Sequence, residues 1–501
     1  MLSDRAGLPA GRAGLPSDRA GLPGELAAVR AGADLPAEPA DRAGLPIEPG
    51  LLPLSTEQAA ITQGYMLRHW QFPVLLRLPF DVEPALLSRA LGFVADRHEP
   101  LRMRLVACPD GVVRQRIGAP GGLIPVAVHE PRAGVTVERL VAELSRVPLD
   151  VWGAGPVRAA VLRRAVPGSG CDVLLIVHHL AWDNWCRDIL VGELSASYRA
   201  VLAGRRPVLP RLRTSWSAHV AAQHAAGAEL SGGRLEYWRD LVSDSSSVPK
   251  LARATEIGSQ GWAGSVAARA PAAGTAGGIA RFARIARVTT AAVWQTLLLS
   301  ALAEEYQCDD FLYYFMHHGR DRPGSDALIG FFARSIVLRH QVDPAADLAA
   351  RCRATLLATG RGIERSAPPY TITRLSRELD ESLYRPEGRL AHPLSQITVN
   401  VRLAGPQPGG AAVGPAGGGP ANAANAANAA NPADRANAAD PADAEGGGSA
   451  FAVRKSKLWF WIDIADRPRL SASYDRRRFP DAFVASVLRR VVAAADEVAA
   501  A

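Results

Sequence analysis

The chain predicts a mixed α+β fold in two lobes that face each other across a cleft. Its 501 residues are 48% hydrophobic, enough for more than one core. Two stretches, about residues 53–213 and 215–401, repeat one grammar of helix-like and strand-like segments, and the piece 451–501 continues the second. The most apolar strand-like run of the first stretch ends in consecutive histidines, a polar ending suited to a cleft wall.

Taken in order, residues 1–50 carry the unit RAGLP four times, at Arg5–Pro9, Arg12–Pro16, Arg19–Pro23 and Arg42–Pro46. Gly and Pro in every copy prevent a sustained helix or strand, so a disordered tail is expected. Residues 51–214 are the expected N-terminal lobe. In it EPALLSRALGFVADRH has helical spacing, LRMRLVA and VVRQRI flank the Asp110–Gly111 turn signal, and VRAAVLRRA and DVLLIVHHL read as strands. A helical pattern then runs from about Asn184 to Val201.

Residues 215–501 are the expected C-terminal lobe. RFARIARVTTAAVWQTLLLSALAEEY reads as helical, DFLYYFMHH and SIVLRHQV as strands, with further strands near Asn400, Trp459 and Ser471. Residues 405–449, with a GGG run and an AANAANAAN tract, lack apolar periodicity and read as a low-complexity insert between the strands QITVNVRL and KLWFWIDI.

The net charge of +8 is spread among acidic residues rather than gathered in basic blocks, which argues against nucleic acid and leaves an acidic protein partner open. The five cysteines, Cys108, Cys171, Cys186, Cys308 and Cys352, have no CxxC spacing, so reduced thiols in a cytoplasmic protein are expected, with no metal site. No basic leader and no apolar run of membrane-spanning length is visible, so no membrane association is expected.

The chemistry concentrates at the end of DVLLIVHHL. A strand alternates its side chains, so His178 and His179 are expected to point one into the core and one into the cleft. Asp183, four residues past His179, lies where a turn can bring its carboxylate back to the histidines or to a distant cation.

HHLAWDNW, from His178 to Trp185, resembles the HHxxxDG motif of nonribosomal peptide condensation domains and of the wider group of acyltransferases that use CoA or carrier proteins. Other segments match in order: PLSTEQ from Pro53, RHEPLRMRL from Arg97, LEYWRDLV from Leu235, GRDRPGSDALIGFFARSIVLR from Gly319, and PLSQITVN ending at Asn400. The resemblance covers about Pro53 to Ala501 apart from the insert. It implies a V of two chloramphenicol-acetyltransferase-like lobes around a tunnel that admits carrier-bound substrates from two sides, in a free-standing condensation enzyme.

By the same resemblance His179 is the general base or the group that positions the attacking amine or hydroxyl, and His178 is structural. Asp183 forms a structural ion pair with Arg320, and Asn400 stands near the nucleophile or the tetrahedral intermediate. The backbone N–H at Asn184 is a candidate oxyanion donor. No intrinsic cofactor is implied; phosphopantetheine arrives on acyl or peptidyl carrier proteins in trans, and the acceptor is a small molecule.

Several positions depart from the family pattern. Asn184 replaces the motif glycine; if a positive φ is needed there, Asn tolerates it best after Gly. Cys186 stands where Ser is usual and reads as buried packing, and Ala333, Arg334 and Ser335 replace V-N-T. The segment KSKLWFWI lacks the usual Asp, and Trp459, Phe460 and Trp461 read as strand packing. A second pair, His317 and His318, precedes Asp321 with different spacing and reads as core or cleft-wall histidines. Two other functions fit the same residues: an O-acyltransferase fed by acyl-CoA or a polyketide carrier, and an inactive condensation-like recruitment platform.

Overall fold

The computed structural model describes residues 50–62, 67–68, 70–131, 134–166, 168–227, 233–242, 263–341, 343, 345–366, 397–403, 458–476 and 478–501. The RAGLP repeats and the 405–449 insert lie outside them.

The first lobe runs β1 (Leu51–Pro53), α1 (Thr56–Ile61), β2 (Gln71–Leu78), α2 (Pro84–Arg97), β3 (Met103–Ala107), β4 (Val113–Ile117), β5 (Val126–His129), α3 (Val137–Arg146), β6 (Val157–Arg163), β7 (Cys171–His178) and α4 (Cys186–Leu202), and α5 (Trp216–Gly227) leads from it into the second. Its main sheet has the order β2-β7-β6-β5, with β5 and β6 parallel and the other pairs antiparallel. A smaller antiparallel sheet has the order β1-β4-β3.

Every residue of β7 is buried, as its unbroken apolar run requires of a strand covered on both faces. Pro84 at the start of α2 supplies a helical φ where no N–H is missed, and Leu87, Leu91 and Val94 turn its apolar stripe inward. Leu190 and Leu194 do the same for α4, which packs on α2.

The second lobe continues with α6 (Gly233–Val242), β8 (Ala263–Ala267), α7 (Thr275–Ala286), α8 (Thr290–Tyr306), β9 (Asp310–His317), β10 (Arg334–Gln341), α9 (Leu348–Glu364), β11 (Ile397–Leu403), β12 (Leu458–Ile464), β13 (Arg469–Asp475) and α10 (Asp481–Ala500). Its six-stranded sheet has the order β10-β9-β11-β12-β13-β8, with β11 parallel to both neighbours. Its core joins Trp294, Leu298 and Leu302 of α8 and Val487 and Val491 of α10 to Phe315, Val399 and Phe460 of the sheet.

One helical expectation changes. The pattern from Arg281 to Tyr306 is two helices bent by 101°, not one. Arg287, at φ 59, ends α7 in the left-handed conformation, and the Thr289 hydroxyl accepts the Ala292 N–H to start α8. Periodicity is almost continuous across this break, so only the capping chemistry betrays it. No single helix among the described residues is long and apolar enough to cross a membrane.

The lobes meet where the chain leaves β9, makes a short 3-10 turn at Ser325–Ala327 and approaches β10. Ile329 and Phe331 join the first-lobe core, while Leu328 and Phe332 pack with Trp216 and Val220 of α5. Gly330 between them is obligatory, because a Cβ there would sit 2.8 Å from the Trp216 ring.

Candidate active site

The β2–β7 ladder sets the site. Gln71 pairs with His178 and Phe72 with Val177, so Trp70 falls opposite His179, whose N–H donates to the Trp70 carbonyl at 2.8 Å. β7 ends at His178, and the chain turns through a 3-10 segment, His179–Ala181, which lets two adjacent histidines take different surroundings.

His178 is fully buried. Its Nδ1 accepts the Leu180 N–H at 3.1 Å and its Nε2–H donates to the Leu67 carbonyl at 2.8 Å. Burial pushes its pKa down to about 4, so the ring is neutral near pH 7 and both nitrogens serve the backbone. His179, 8% exposed, does the reverse: its Nδ1–H donates to the Trp182 carbonyl. A carbonyl only accepts, so the neutral ring must carry its proton on Nδ1 and its lone pair on Nε2. Aromatic rings define its walls, with centroids at 4.0 Å for Trp70, 4.0 Å for Phe331 and 5.0 Å for Phe72.

Asp183 joins the lobes. Arg320 donates to its two oxygens at 2.7 and 2.9 Å, and the backbone N–H groups of Phe332 and Ala333 donate to it at 3.0 and 3.1 Å. Burial alone would raise this carboxyl's pKa, but the charge and hydrogen bonds of Arg320 outweigh it and hold the group below its ordinary value. The Arg320 guanidinium also lies 4.3 Å from the Phe332 ring centroid. Gly319, at φ 68, makes the preceding turn, where any Cβ would strike the Phe332 carbonyl.

The remaining expected residues sit differently. Asn184 is exposed in the turn before α4. Arg287 and Gln307 are the only non-glycine residues with positive φ among those described, so Asn184 does not need the conformation that glycine favours. Asn400 is half-buried on β11 beside Trp461 of β12, on the face opposite Val399 of the second-lobe core.

Cys186 does more than fill space. Its Sγ lies 3.2 Å from both Asp183 Oδ1 and the Gly330 carbonyl, and accepts N–H groups of Gly330 and Arg320 at 3.3 Å. Burial raises the thiol's pKa strongly, so it is a hydrogen-bonding strut and not a nucleophile. Its place three residues after Asp183, on the first turn of a helix, was the available signal. Sequence reasoning also missed Trp70, Phe331 and His98. The His98 Nδ1 accepts the Ile329 N–H at 3.2 Å, and its Nε2–H donates to Glu193 at 2.8 Å.

His317, His318 and Asp321 bring possible ligand atoms within 4.8 Å of one another. However, the Nδ1 atoms of His317 and His318 accept the N–H groups of Gly319 and Arg320, at 3.2 and 3.1 Å. Their neutral rings therefore carry protons on Nε2, and Asp321 is already paired with Arg334. This is not a ready-made donor set for a cation.

Two lobes clasped through one strand-end motif give the chain the two-lobed chloramphenicol-acetyltransferase-like fold. Within it the chain belongs to the condensation-domain family, whose model matches residues 52–382. Over 326 residues, 62% of this chain, it is 29% identical to the probable non-canonical nonribosomal peptide synthetase CymA of Salinispora arenicola, and it spans only 4% of that protein. The X-domain in the complex of X-domain and OxyB from teicoplanin biosynthesis is similar at a TM-score of 0.65 and 20% identity, over 91% of this chain and 95% of that one. The condensation domain of the monacolin K polyketide synthase MokA matches at a TM-score of 0.66 and 15% identity, over 90% and 97%.

Proposed function

We propose that this chain transfers an acyl group from a carrier-bound thioester to an amine or hydroxyl, forming an amide or an ester in natural-product assembly. The observation that carries this reading is the tautomer of His179: with the Nδ1 proton held by the Trp182 carbonyl, Nε2 bears the lone pair a general base needs.

In the proposed reaction Nε2 takes a proton as the amine nitrogen or hydroxyl oxygen bonds to the thioester carbonyl carbon. The resulting oxyanion collapses, the C–S bond breaks, and the imidazolium returns the proton to the departing thiolate. Trp70, Phe72 and Phe331 exclude water and fix the ring. Asp183 and Arg320 hold the lobes in register, and the Asn184 N–H and the Asn400 side chain are the candidate groups for the oxyanion and the nucleophile. The phosphopantetheine arm comes with the partner carrier. The reading takes residues 51–214 and 215–501 as the two lobes, with 405–449 inserted in the second.

The test is product formation from an acyl-loaded carrier protein and an amine, followed by mass spectrometry, with parent and His179→Ala proteins. Loss of a general base is expected to slow transfer by about 10²–10⁴-fold. A His179→Ala protein within about threefold of the parent would sink the catalytic reading in favour of a recruitment platform.

A further inference from the structure

The segment from the end of α4 to the start of α5 is an exception to the otherwise scattered charge of the sequence. Between Arg199 and Arg213 stand five arginines, Arg199, Arg205, Arg206, Arg211 and Arg213, and no acidic residue. All five are exposed. Five positive charges in one short segment compare with a net +8 for the whole chain. Between them Leu202 is 63% and Val208 95% exposed. Isolated exposed apolar residues are ordinary, but here they stand between exposed arginines in one short segment.

This segment is held in place. Arg205 N–H donates to the Ala200 carbonyl at 2.8 Å, Arg97 donates to the Pro210 carbonyl, and Pro207 and Pro210 restrict the backbone. It also returns to the active-site seam. α4 carries the chain about 25 Å away from Cys186, at 1.5 Å per residue. The segment then leads back until Arg213 lies against Gly324, where a Cβ would come within 2.9 Å of the Arg213 Cβ. Gly324 opens the turn whose Asp326 carbonyl accepts the Trp185 Nε1–H at 3.0 Å, next to Asn184. The five exposed arginines thus lie along a segment whose backbone is anchored at Arg205 and Pro210 and whose end lies beside the motif turn.

We propose that the strip Arg199–Arg213 is the docking surface for an acidic carrier protein, with Leu202 and Val208 as its apolar contacts. This rests on the acyl-transfer reading, because it supplies the partner for that site. Charge complementarity selects the occupant: a partner carrying both carboxylates and a phosphodiester-linked arm meets guanidinium groups that pair with each, while the apolar tips suit a protein face and not a nucleic-acid backbone.

The experiment compares the parent chain with the R205E/R206E/R211E variant and with a charge-matched second-lobe control, R281E/R284E/R489E. The probe is an excised, acyl-phosphopantetheinyl carrier domain with an acidic surface. Its Kd is measured at low and high salt, and turnover is measured with this carrier and with the same acyl group on free pantetheine. The strip variant should bind the carrier about tenfold or more weakly and lose most of its salt dependence. The control should bind like the parent, and turnover of the free thioester should stay within about twofold of the parent in both variants. Equal carrier binding by parent and strip variant would overturn the proposal, as would an equal loss in the control. So would arginine-dependent binding of a short DNA duplex with no binding of the carrier. Failure of the parent to turn over either thioester would instead count against acyl transfer, while the Kd values still decide the docking claim.

Discussion

Two strands of this molecule, β7 in the first lobe and β9 in the second, end in consecutive histidines followed within five residues by an aspartate. In the second lobe both rings accept a backbone N–H two residues ahead, His317 from Gly319 and His318 from Arg320. In the first lobe His178 does the same with Leu180. His179 alone of the four donates from Nδ1, to the Trp182 carbonyl. A histidine whose Nδ1 accepts is a neutral ring with its proton outward, whereas one whose Nδ1 donates presents a lone pair. Identical residue pairs therefore differ in chemistry because of one carbonyl three residues downstream.

The aspartates differ as well. Asp183 is buried and takes four hydrogen bonds from Arg320, Phe332 and Ala333, all from the opposite lobe. Asp321 is exposed, pairs with Arg334 and lies 3.7 Å from the His317 Nε2. One carboxylate is a clasp between lobes, and the other is a surface ion pair within one.

The sharpest test of this contrast substitutes one member of each histidine pair. His179→Ala should cost about 10²–10⁴ in transfer rate, while His317→Gln and His318→Gln should each change it by no more than about threefold in the same assay. A large loss from His318→Gln would break the tautomer argument.

Next in size is the clasp. Asp183→Ala leaves Arg320 as an uncompensated buried cation and should destabilise the chain by about 3–5 kcal/mol, read from urea denaturation. Asp321→Ala, at an exposed pair, should cost about 0–1 kcal/mol. Equal losses would show that the lobes are not held through Asp183.

A smaller effect separates the buried rings by pH. His178 has a folded pKa of about 4 against about 6.5 unfolded, so the unfolded chain binds the extra proton between these values. Its contribution is present above about pH 6.5 and is lost as pH falls toward 4, on the order of 3 kcal/mol in all. His219, His317 and His340, also pushed down to about 4 by burial, act in the same direction. His178→Asn should lower proton uptake on unfolding at pH 5 by about one relative to the parent, measured from the slope of stability against pH. An unchanged slope would mean that the ring is not held neutral by burial. The smallest effect is expected at Cys186. Cys186→Ser keeps a hydrogen-bonding group among Asp183, Gly330 and Arg320 and should cost about 1 kcal/mol or less, against about 2 for Cys186→Val. A reversed order would show that packing, not hydrogen bonding, sets that position.

Much of this was legible in the residues because it is local. The apolar run of β7, the stripes of α2 and α4, and the polar strand end at His178 and His179 all follow from side-chain period, and the order of motifs points to the family. What the residues alone could not show are relations between distant segments. The break between α7 and α8 depends on the left-handed Arg287, which leaves the apolar pattern almost intact. That Phe331 of the second lobe packs on His179 of the first, and that Cys186 bridges Asp183 and Gly330, depends on lobe docking across more than a hundred residues of chain. Above all, the proton on His179 is placed by a carbonyl that only the folded turn brings to Nδ1. A histidine's identity is written in the chain, but its tautomer is set by what its other nitrogen touches.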